Sequence, residues 1–440
     1  MSSKEHKKGR VILTYGRSLM ALTAAQSLGK RGVEVIGCDD VDATVVGFSR
    51  YVKDYFIHAP YRKDEEQYLS DLEKHIRKFK PEDDRPYILM PMFRDAPILA
   101  EHKDRFAGLI TIAAPEYDAI EKVATKDAFA ATCEQLDLPA PRTLKTDNIE
   151  ELEARKDEIS FPALVKPYDD VGGRGIHKVK NFVELRKCYQ ENIEHYNQPP
   201  LVQEVIEGQD YCLAAICDQG AIVSAMAYKN LHSFPREAGA GIMRETIETA
   251  PFEDAAARLA KSLGWHGVVQ FDFRWSGEPD DPPRLIEVNP RFWSGLFHSV
   301  ESGADFPWLL YQLFAEGRIT DETHVKIGFK TKMPGLWRLS AMQDIIDSEM
   351  DFGQLKAVWQ KLWDKESDET FRQRLGALAS SLKDSIDSED IKTRIKEMNE
   401  SGKLAKSEFD MEDDPFVGLG LLFIASSLIR HGELPPELKH

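Results

Sequence analysis

The order of apolar and polar runs near the start of the chain predicts a strand, a helix and a second strand. Residues 11–13 and 33–38 are apolar, and residues 19–28 between them have helical spacing. This order is typical of a parallel sheet, and apolar runs at 87–90 and 109–112 add two strands. We therefore expect an α/β fold that begins with a doubly wound parallel-sheet domain at residues 1–117. The turn after the first strand has one glycine, Gly16, where a dinucleotide fingerprint needs three, so it does not favour NAD binding.

The middle of the chain mixes short strands with longer helices. Helical spacing predicts helices at residues 126–136, 182–196 and 254–263, and short apolar runs predict strands at 163–166 and 201–206. Residues 211–217 and 221–228 flank the turn residues Asp218, Gln219 and Gly220, which is typical of a hairpin.

Two apolar strands further along the chain carry acidic side chains. Residues 268–274 and 284–289 are joined by a Gly- and Pro-rich connection that favours antiparallel pairing. Asp272 would then lie across from Glu287, and Asn289, two residues on, would face the same side of the sheet. Carboxylate and amide oxygens are suited to Mg²⁺, and Arg291 just beyond them can bind phosphate with its planar fork of donors. These residues indicate a site for a metal ion and a nucleotide.

A solvated strand face is the alternative interpretation of these polar residues. Their neighbours are apolar on both faces of the strands, among them Val269, Phe271 and Val288. In strands covered on both faces a charge is costly unless it is paired or metal-bound, so the metal site is favoured.

Beyond about residue 336 the strand patterns give way to charged, helix-forming residues. We expect a mainly helical C-terminal region at residues 336–440, with its charge runs on solvated helix faces and loops. Residues 416–429 are strongly apolar but too short to span a bilayer. A buried helix is favoured there, and a helix on a partner or membrane surface is the alternative.

Length and charge restrict the class of protein. The 440 residues suggest about two to four domains, and the formal net charge of −17 argues against a nucleic-acid-binding footprint. The five cysteines form no C-x-x-C pair and are expected to be buried thiols, which suits a reducing cytoplasm. The polar start at residues 1–8 is not expected to be a signal peptide, and no apolar run reaches transmembrane length. We therefore expect a cytoplasmic protein that binds no nucleic acid and has no membrane span.

Two lysines and a glycine-rich turn add phosphate-binding chemistry upstream of the acidic strands. Lys166 ends a predicted strand just before Gly172, Gly173 and Gly175, whose backbone N–H groups can approach phosphate closely. No Gly-Lys-Ser or Gly-Lys-Thr sequence follows the loop, so this is not a Walker loop. A glycine-rich hairpin tip would compete with this interpretation if the turn stood alone, but Lys126 precedes it and the acidic strands follow it.

The order of these segments resembles the ATP-grasp superfamily, in its carboxylate–amine ligase or carbamoyl-phosphate-synthase-like branch. The resemblance covers about residues 11–316 and depends on four segments: residues 125–129, residues 163–167 with the glycines at 172–175, residues 202–210, and the strands that carry Asp272 and 287–291. It implies an ATP-grasp fold with a small lobe at residues 118–200 and a large lobe at residues 201–335, followed by the helical C-terminal region.

The resemblance also implies how ATP would be bound. Lys126 and Lys166 are expected to bind its phosphates beneath a flexible loop that contains Gly172, Gly173 and Gly175. The hinge at Gln203, Glu204 and Ile206 is expected to bind adenine through the backbone, and Asp210, with Glu207 as the second choice, to bind the ribose. The chain has Gln203 where many members have Glu, which we expect to have little effect because the backbone does most of the binding.

The same resemblance implies the metal and catalytic residues. Asp272, Glu287 and Asn289 are expected to hold Mg²⁺, as two ions for which Mn²⁺ can substitute, and Arg291 to contact the transferring phosphate. Asp272 departs from the Glu that is common in the family, and its carboxylate reaches one carbon less.

Residues 229–244 mix basic and small residues and are the candidate substrate pocket. Arg244 is expected to bind phosphate or carboxylate there together with Arg291. For His232 and Arg236, a surface loop with incidental charge is an equal alternative. His298 could line the same pocket, although a structural histidine is favoured.

This resemblance implies an ATP-dependent carbon–nitrogen ligase. It would activate a small-molecule carboxylate as an acyl phosphate and join it to an amine as an amide, with release of ADP and phosphate. One alternative is an enzyme that phosphorylates bicarbonate or carbamate at the same site, and another is a nucleotide-binding scaffold without catalytic activity. The absence of a recognisable glutaminase segment favours the ligase modestly, and the intact set of lysines and acids argues against the scaffold. A homodimer, common among proteins of this resemblance, is an open alternative to a monomer.

Overall fold

The computed structural model describes residues 8–42, 44–167, 175–234, 240–333, 353–364, 369–385, 396, 400, 402–408 and 413–418. Within these residues the chain forms one parallel sheet, two mainly antiparallel sheets and the helices that cover them. The predicted α/β fold class is thereby confirmed. No helix in this part of the chain is both long and apolar enough to cross a membrane.

The N-terminal sheet is parallel and has the strand order β3-β2-β1-β4-β5. Its elements are β1 (Arg10–Leu13), α1 (Leu19–Lys30), β2 (Glu34–Asp39), β3 (Val52–Ile57), α2 (Glu65–Lys78), β4 (Tyr87–Met90), α3 (Ala96–Glu101), β5 (Thr111–Ile112) and α4 (Tyr117–Ala124). Four of these strands were predicted, but β3 and α2 were not. β3 is an edge strand in which only Phe56 is buried, and α2 buries only a narrow stripe of Tyr68, Leu69, Leu72 and Ile76, so neither has a strong apolar signal.

A small four-stranded antiparallel sheet follows, in the order β6-β9-β7-β8. Its elements are α5 (Lys126–Gln135), β6 (Thr143–Leu144), α6 (Ile149–Ala154), β7 (Ala163–Lys166), β8 (His177–Val179), α7 (Phe182–Tyr196) and β9 (Leu201–Glu204). Val165 on the sheet and Leu185 and Tyr189 on α7 belong to one buried apolar cluster. This small lobe positions Lys126 at the start of a helix and Lys166 at the end of a strand.

The large lobe is a sheet in the order β14-β13-β10-β11-β12-β15-β16. Its elements are β10 (Gln209–Asp218), β11 (Ala221–Phe234), β12 (Ala240–Ile247), α8 (Ala250–Leu263), β13 (Gly267–Trp275), β14 (Arg284–Asn289), α9 (Leu296–Ser302), α10 (Phe306–Glu316), β15 (Lys330–Lys332) and β16 (Lys406–Ser407). The predicted hairpin at Asp218–Gly220 and the antiparallel pairing of β13 with β14 are both confirmed. The N-terminal domain packs on this lobe, where Ser27 Oγ donates a 2.6 Å hydrogen bond to Asp305 Oδ1.

After residue 336 the described residues contain two helices and one short strand, so the mainly helical region stays the expectation. Its helices α11 (Gly353–Leu362) and α12 (Phe371–Ser385) bury Trp359, Leu362 and Phe371. However, β16 pairs in parallel with β15 and extends the large sheet by two residues, too few to give a strand pattern in the sequence. Of the apolar stretch 416–429 only residues 416–418 are described, and Val417 among them is 1% exposed, so the predicted buried helix lies largely outside the described residues.

The five cysteines are all buried and none is in a disulfide, as the sequence predicted. Cys212 lies on β10 directly opposite Asp272 on β13. It therefore lies beside a predicted metal ligand rather than in an unrelated part of the core.

Candidate functional site

The acidic strand pair has the predicted register. Asp272 on β13 lies directly opposite Glu287 on β14, and Gln270 lies opposite Asn289. Asn289 Nδ2 donates a hydrogen bond of 3.0 Å to Asp272 Oδ2. The fold thus brings together all three side chains that the sequence suggested as metal ligands.

The electrostatics of Asp272 fit a cation site. Burial, followed by the negative charge of Glu287, raises the pKa of Asp272 to about 7. Its Oδ1 atom is buried and accepts no hydrogen bond, while Glu287 is exposed towards the cleft. A carboxylate held beside another acid, with one free oxygen, is stabilised by a divalent cation. The residues present therefore suit Mg²⁺.

The number of acids also suits Mg²⁺. Among the residues that the structure describes, no group of three or more His, Cys, Asp or Glu side chains could hold a metal. Two carboxylates and an amide leave coordination positions for phosphate oxygens and water, which is how Mg²⁺ commonly binds in nucleotide sites.

The two predicted lysines lie close together in the small lobe. Lys126 is the first residue of α5, which Thr125 caps, and its Nζ donates a 2.6 Å hydrogen bond to the carbonyl of Pro167, next to Lys166. Burial, and then the charge of Lys126, lowers the pKa of Lys166 to about 8, whereas Glu287 acts in the opposite direction. Glu287 therefore lies near enough to Lys166 to influence its pKa, which is consistent with lysines and acidic strands that face one cleft.

Most of the glycine-rich loop, including Gly172 and Gly173, lies outside the residues that the structure describes. Gly175 is described and has φ +69°. A Cβ atom there would lie 2.7 Å from Tyr196 Oη and 2.8 Å from Pro167 Cγ, so a larger residue would be strained and crowded. The phosphate-covering role of the loop stays a prediction.

The predicted adenine-binding hinge joins the small and large lobes. Gln203, on β9, donates a hydrogen bond of 2.9 Å from Nε2 to Thr143 Oγ1, and Glu204 accepts one of 3.1 Å from the backbone N–H of Arg142. Both side chains are therefore engaged in the small lobe, which is consistent with binding through the hinge backbone. Ile206, half-buried, follows in the connection to β10. The adenine-binding role of the hinge stays a prediction.

The two predicted ribose-binding acids lie at the beginning of the large lobe. Asp210 Oδ1 is 3.0 Å from a guanidinium nitrogen of Arg274 on the neighbouring strand, and Glu207 is 3.7 Å from Lys178 Nζ. Both carboxylates are exposed, so a hydroxyl group could reach them. Their ribose roles stay predictions.

Arg291 lies beside the metal strands, as the sequence suggested. Its guanidinium carbon is 4.8 Å from the centre of the Phe93 ring, and one of its nitrogens donates a 3.0 Å hydrogen bond to the carbonyl of Phe292. Burial lowers the pKa of Arg291, and the carboxylate of Glu287 partly offsets this effect. Arg291 thus lies between Glu287 and the N-terminal domain.

Arg244 is engaged by a carboxylate of this chain, and its predicted anion-binding role stays a prediction. It is on β12, a strand the sequence did not predict, and is 1% exposed. One nitrogen lies 2.6 Å from Glu408 Oε1, and another contacts the Gly241 carbonyl and Ser294 Oγ. The positive charge is already neutralised by a carboxylate from the C-terminal region, which sequence patterns could not reveal.

His298 is a structural histidine, which the sequence favoured. It is fully buried on α9, and its ring nitrogens lie 3.0 Å from Thr246 Oγ1 and 2.9 Å from Thr331 Oγ1. Burial lowers its pKa to about 3, so it is neutral. His232 is half-buried on β11, and Arg236 lies outside the described residues.

Sequence reasoning missed Arg274. It lies two residues after Asp272 on β13, its charge lowers the pKa of Lys166, and its Nε atom is buried without a hydrogen-bond acceptor. The alternation of side chains along a strand was the available signal, because residues 272 and 274 must share a face. Arg274 is a third candidate cation for the phosphates.

A small lobe with paired lysines, a hinge, and a large lobe with an acidic strand pair define the ATP-grasp class of nucleotide-binding protein. Residues 120–295 match the family described as the ATP-grasp domain. The chain is therefore similar to the ATP-grasp family over residues 120–295.

Similarity to curated proteins covers the same region. The chain is 28% identical over 181 residues to the arginine-specific carbamoyl phosphate synthase large chain of Geobacillus stearothermophilus. That match covers 40% of this chain and 17% of the relative. The chain thus spans less than a fifth of the relative's length.

Solved structures share the fold. The N5-carboxyaminoimidazole synthetase of Staphylococcus aureus complexed with ADP is 13% identical, with a TM-score of 0.59 over 78% of this chain and 87% of that chain. The L-amino acid ligase of Bacillus licheniformis is 17% identical, with a TM-score of 0.54 over 71% of this chain and 75% of that chain. At these identities the similarity establishes the fold.

Proposed function

We propose that the chain is an ATP-dependent ligase that joins a small-molecule carboxylate to an amine through an acyl phosphate. The observation that carries this proposal is the convergence of Lys126 and Lys166 with Asp272, Glu287 and Asn289 on one cleft. Cations on one wall and metal-binding acids on the other are what the polyphosphate of ATP requires.

The residues of the cleft would act mainly by positioning and charge. Lys126, Lys166 and Arg274 would bind phosphate oxygens and neutralise their charge. Asp272, Glu287 and Asn289 would hold Mg²⁺, expected as two ions with Mn²⁺ able to substitute, which when bound supplies further charge neutralisation on the phosphates. Arg291 would contact the phosphoryl group during its transfer.

The proposed chemistry has two steps. An oxygen of the substrate carboxylate attacks the γ-phosphorus of ATP, and the bond to the β–γ bridging oxygen breaks, so that ADP departs with the electron pair. The amine nitrogen then attacks the acyl carbon of the acyl phosphate, phosphate leaves, and the nitrogen loses a proton to give the amide. Exclusion of water from the cleft protects the acyl phosphate, which water would otherwise hydrolyse.

Phosphorylation of bicarbonate or carbamate at the same site is the second candidate. The sequence similarity to a carbamoyl phosphate synthase large chain favours it. The L-amino acid ligase and the other solved structures share the fold and do not separate the two candidates.

A screen for ADP release separates these possibilities. The full chain with Mg²⁺ and ATP would be given pairs of carboxylic acids and amines, bicarbonate alone, and bicarbonate with amines. ADP release that needs both an acid and an amine, with a new amide in mass spectrometry, supports the ligase. Release with bicarbonate alone supports the second candidate.

The variant Glu287→Ala controls the screen. It should fold normally, because Glu287 is exposed, but should lose ADP release. Full turnover in this variant would contradict the assignment of the metal site. If no acid or bicarbonate triggers ADP release, the protein is better described as a nucleotide-binding scaffold.

A further inference from the structure

The N-terminal sheet has a crevice that the proposed catalytic residues do not use. Its strand order changes direction between β1 and β4, because β2 and β3 continue on one side and β5 on the other. Ligands of open parallel sheets bind at such a point, outside the carboxyl ends of the strands. Here Tyr15 follows β1 and Phe93 follows β4, and their rings stack with centres 4.6 Å apart and planes 8° from parallel. The two aromatic rings form an apolar wall at this point.

Two arginines lie against that wall and link it to the metal strands. The guanidinium carbon of Arg94 is 5.1 Å from the centre of the Phe93 ring, and that of Arg291 is 4.8 Å from the same centre. Arg94 belongs to the N-terminal domain, whereas Arg291 follows β14 in the large lobe. Phe93 therefore joins the crevice to the site of phosphoryl transfer.

A third cation adds to the positive charge of the crevice. The charge of Arg62, after burial the largest influence, lowers the pKa of Arg94. No carboxylate of the described residues forms an ion pair within 4.0 Å with the guanidinium group of Arg62, Arg94 or Arg291. Most other arginines of the N-terminal domain are paired, for example Arg10 with Glu34 and Arg105 with Glu66.

Glu287 offsets part of this positive charge, but the arrangement stays costly without a further anion. The charges of Arg62 and Arg94 repel each other. Arg94 and Arg291 lie against the same ring and are partly buried, so both have lost part of their hydration. Planar guanidinium groups bind carboxylate and phosphate oxygens in pairs, and those on an aromatic wall lose little freedom when they do so.

We propose that the crevice formed by Arg62, Arg94, Arg291 and Phe93 binds an anionic group of the acid substrate other than the carboxylate that is activated. The proposal rests on the proposed ligase function and names its substrate class, an acid with a second carboxylate or a phosphate ester. Arg94 and Arg62 hold the second anionic group, Tyr15 and Phe93 contact the apolar part of the substrate, and the carboxylate to be activated lies towards Glu287. Arg94 is then a specificity-determining residue.

The first experiment measures anion binding without turnover. Calorimetric titrations of the full chain with succinate and with methyl phosphate would be done while a non-hydrolysable ATP analogue and Mg²⁺ occupy the nucleotide site. Succinate represents a second carboxylate and methyl phosphate represents a phosphate ester. The anion that binds with the higher affinity therefore identifies the kind of group that the crevice accepts. Arg94→Gln should weaken binding at least 10-fold, without changing the affinity for the ATP analogue.

The control is Arg77→Gln, because Arg77 is exposed on α2 and paired with Glu73 at a distance from the crevice. It should bind the anions like the unmodified protein. Arg62→Gln serves as a second variant if Arg94→Gln does not fold, since Arg62 is exposed. No binding of either anion by the unmodified protein, or equal binding by Arg94→Gln and Arg62→Gln, would overturn the proposal.

The second experiment uses turnover and separates this proposal from the proposed function. Acids matched in length, such as succinate and butyrate, would be compared for ADP release. Arg94→Gln should raise the KM for the dianionic acid at least 10-fold and leave the KM for the monoanionic acid unchanged. Anion binding without ADP release from any acid would support the crevice and reject the ligase. ADP release with no preference for dianionic acids would support the ligase and reject the crevice.

Discussion

Asp272 and Glu287 lie directly opposite each other on adjacent antiparallel strands, and the charge of Glu287 adds to burial in raising the pKa of Asp272. Without a cation the two negative charges repel each other. With Mg²⁺ present, both carboxylates are needed to bind it. Function and stability are therefore opposed at this site.

Asp272→Asn should stabilise the protein and abolish its ATP-dependent activity. Removal of one charge relieves the repulsion with Glu287, by about 1–3 kcal/mol in the free energy of unfolding without Mg²⁺. Urea unfolding with and without Mg²⁺ measures this change, and ADP release measures activity. Asp280→Asn, in the exposed loop between β13 and β14, is the matched control and should alter neither quantity. Lower stability in Asp272→Asn would show that the acid pair is not under strain.

Lys166→Met should also stabilise the protein, with a defined dependence on pH. The pKa of Lys166 is 10.5 when unfolded and about 8 when folded, so the unfolded chain binds more protons between these values. Stability therefore rises as the pH increases from about 8 to 10.5, and the cost of the buried charge is fully present below pH 8. Lys166→Met removes a cost of about 1–3 kcal/mol at pH 7 and has less effect near pH 10.

The same variant should bind ATP about 10- to 100-fold more weakly, because a charge-assisted contact contributes about 1.5–3 kcal/mol. Thermal unfolding from pH 7 to 9.5 and nucleotide titration test the two effects together. Lys180→Met, at an exposed position of the same lobe, should change neither. An unchanged ATP affinity in Lys166→Met would count against the role of this lysine.

Arg274→Gln should weaken ATP binding by about 10- to 100-fold through the loss of one charge-assisted contact. Its ion pair with Asp210 is exposed, so the loss of that pair should change stability by about 1 kcal/mol or less. Fluorescence titration with a labelled ATP analogue measures the affinity. Arg186→Gln is the control, because Arg186 is exposed on α7 and paired with Glu153. Equal affinities would leave Arg274 with a structural role only.

Glu408→Gln should destabilise the fold by about 3–5 kcal/mol, because it leaves the buried charge of Arg244 without its partner. Arg244→Met combined with Glu408→Leu should recover most of this loss, since both charges are then absent. Chemical unfolding tests both variants, with Glu400→Gln at an exposed pair with Lys403 as the control. If Arg244→Gln instead weakened ATP binding in a folded protein, its predicted anion-binding role would be supported.

Gly208→Ala should disturb the connection between the lobes. Gly208 has φ +123°, and a Cβ atom there would lie 2.2 Å from the carbonyl oxygen of Trp275. We expect a loss of stability above about 2 kcal/mol and weaker ATP binding, measured by thermal unfolding and titration. Gly264→Ala is the matched control, because it too has a positive φ, +58°, but nothing lies within 4 Å of its Cβ position; it should cost only about 1 kcal/mol. Similar losses in both would attribute the effect to backbone conformation alone.

Most of the secondary structure around the site could be predicted from the sequence. β7, α7 and the acidic strands have dense apolar patterns, and their predicted bounds differ little from those observed. β3 and β16 were missed because an edge strand and a two-residue strand bury too few side chains to give a pattern. β12 is mostly buried, but Arg244, Glu245 and Thr246 interrupt its apolar pattern in the sequence.

The candidate site was predicted where neighbouring residues in the sequence are also neighbours in space. The two-residue period of a strand placed Glu287 beside Asn289, and a short connection placed Asp272 opposite them. The sequence predicted that Arg244 binds an anion, because its charge has no partner nearby in the chain. The carboxylate that contacts it, Glu408, is 164 residues away in the sequence. A charge that looks free in the sequence can be neutralised by any residue that the fold brings to it.

The sequence by itself therefore determined the chemistry of the cleft: two lysines, two acids, an amide and the elements that carry them. Only the tertiary structure decided which charges remain available. It placed Glu408 on Arg244 and left Arg94 and Arg291 against Phe93, with Arg62 near enough to influence Arg94 electrostatically. The physical reason is that a local pattern fixes the direction of a side chain on its own element, whereas its pairing and burial depend on elements far away in the chain.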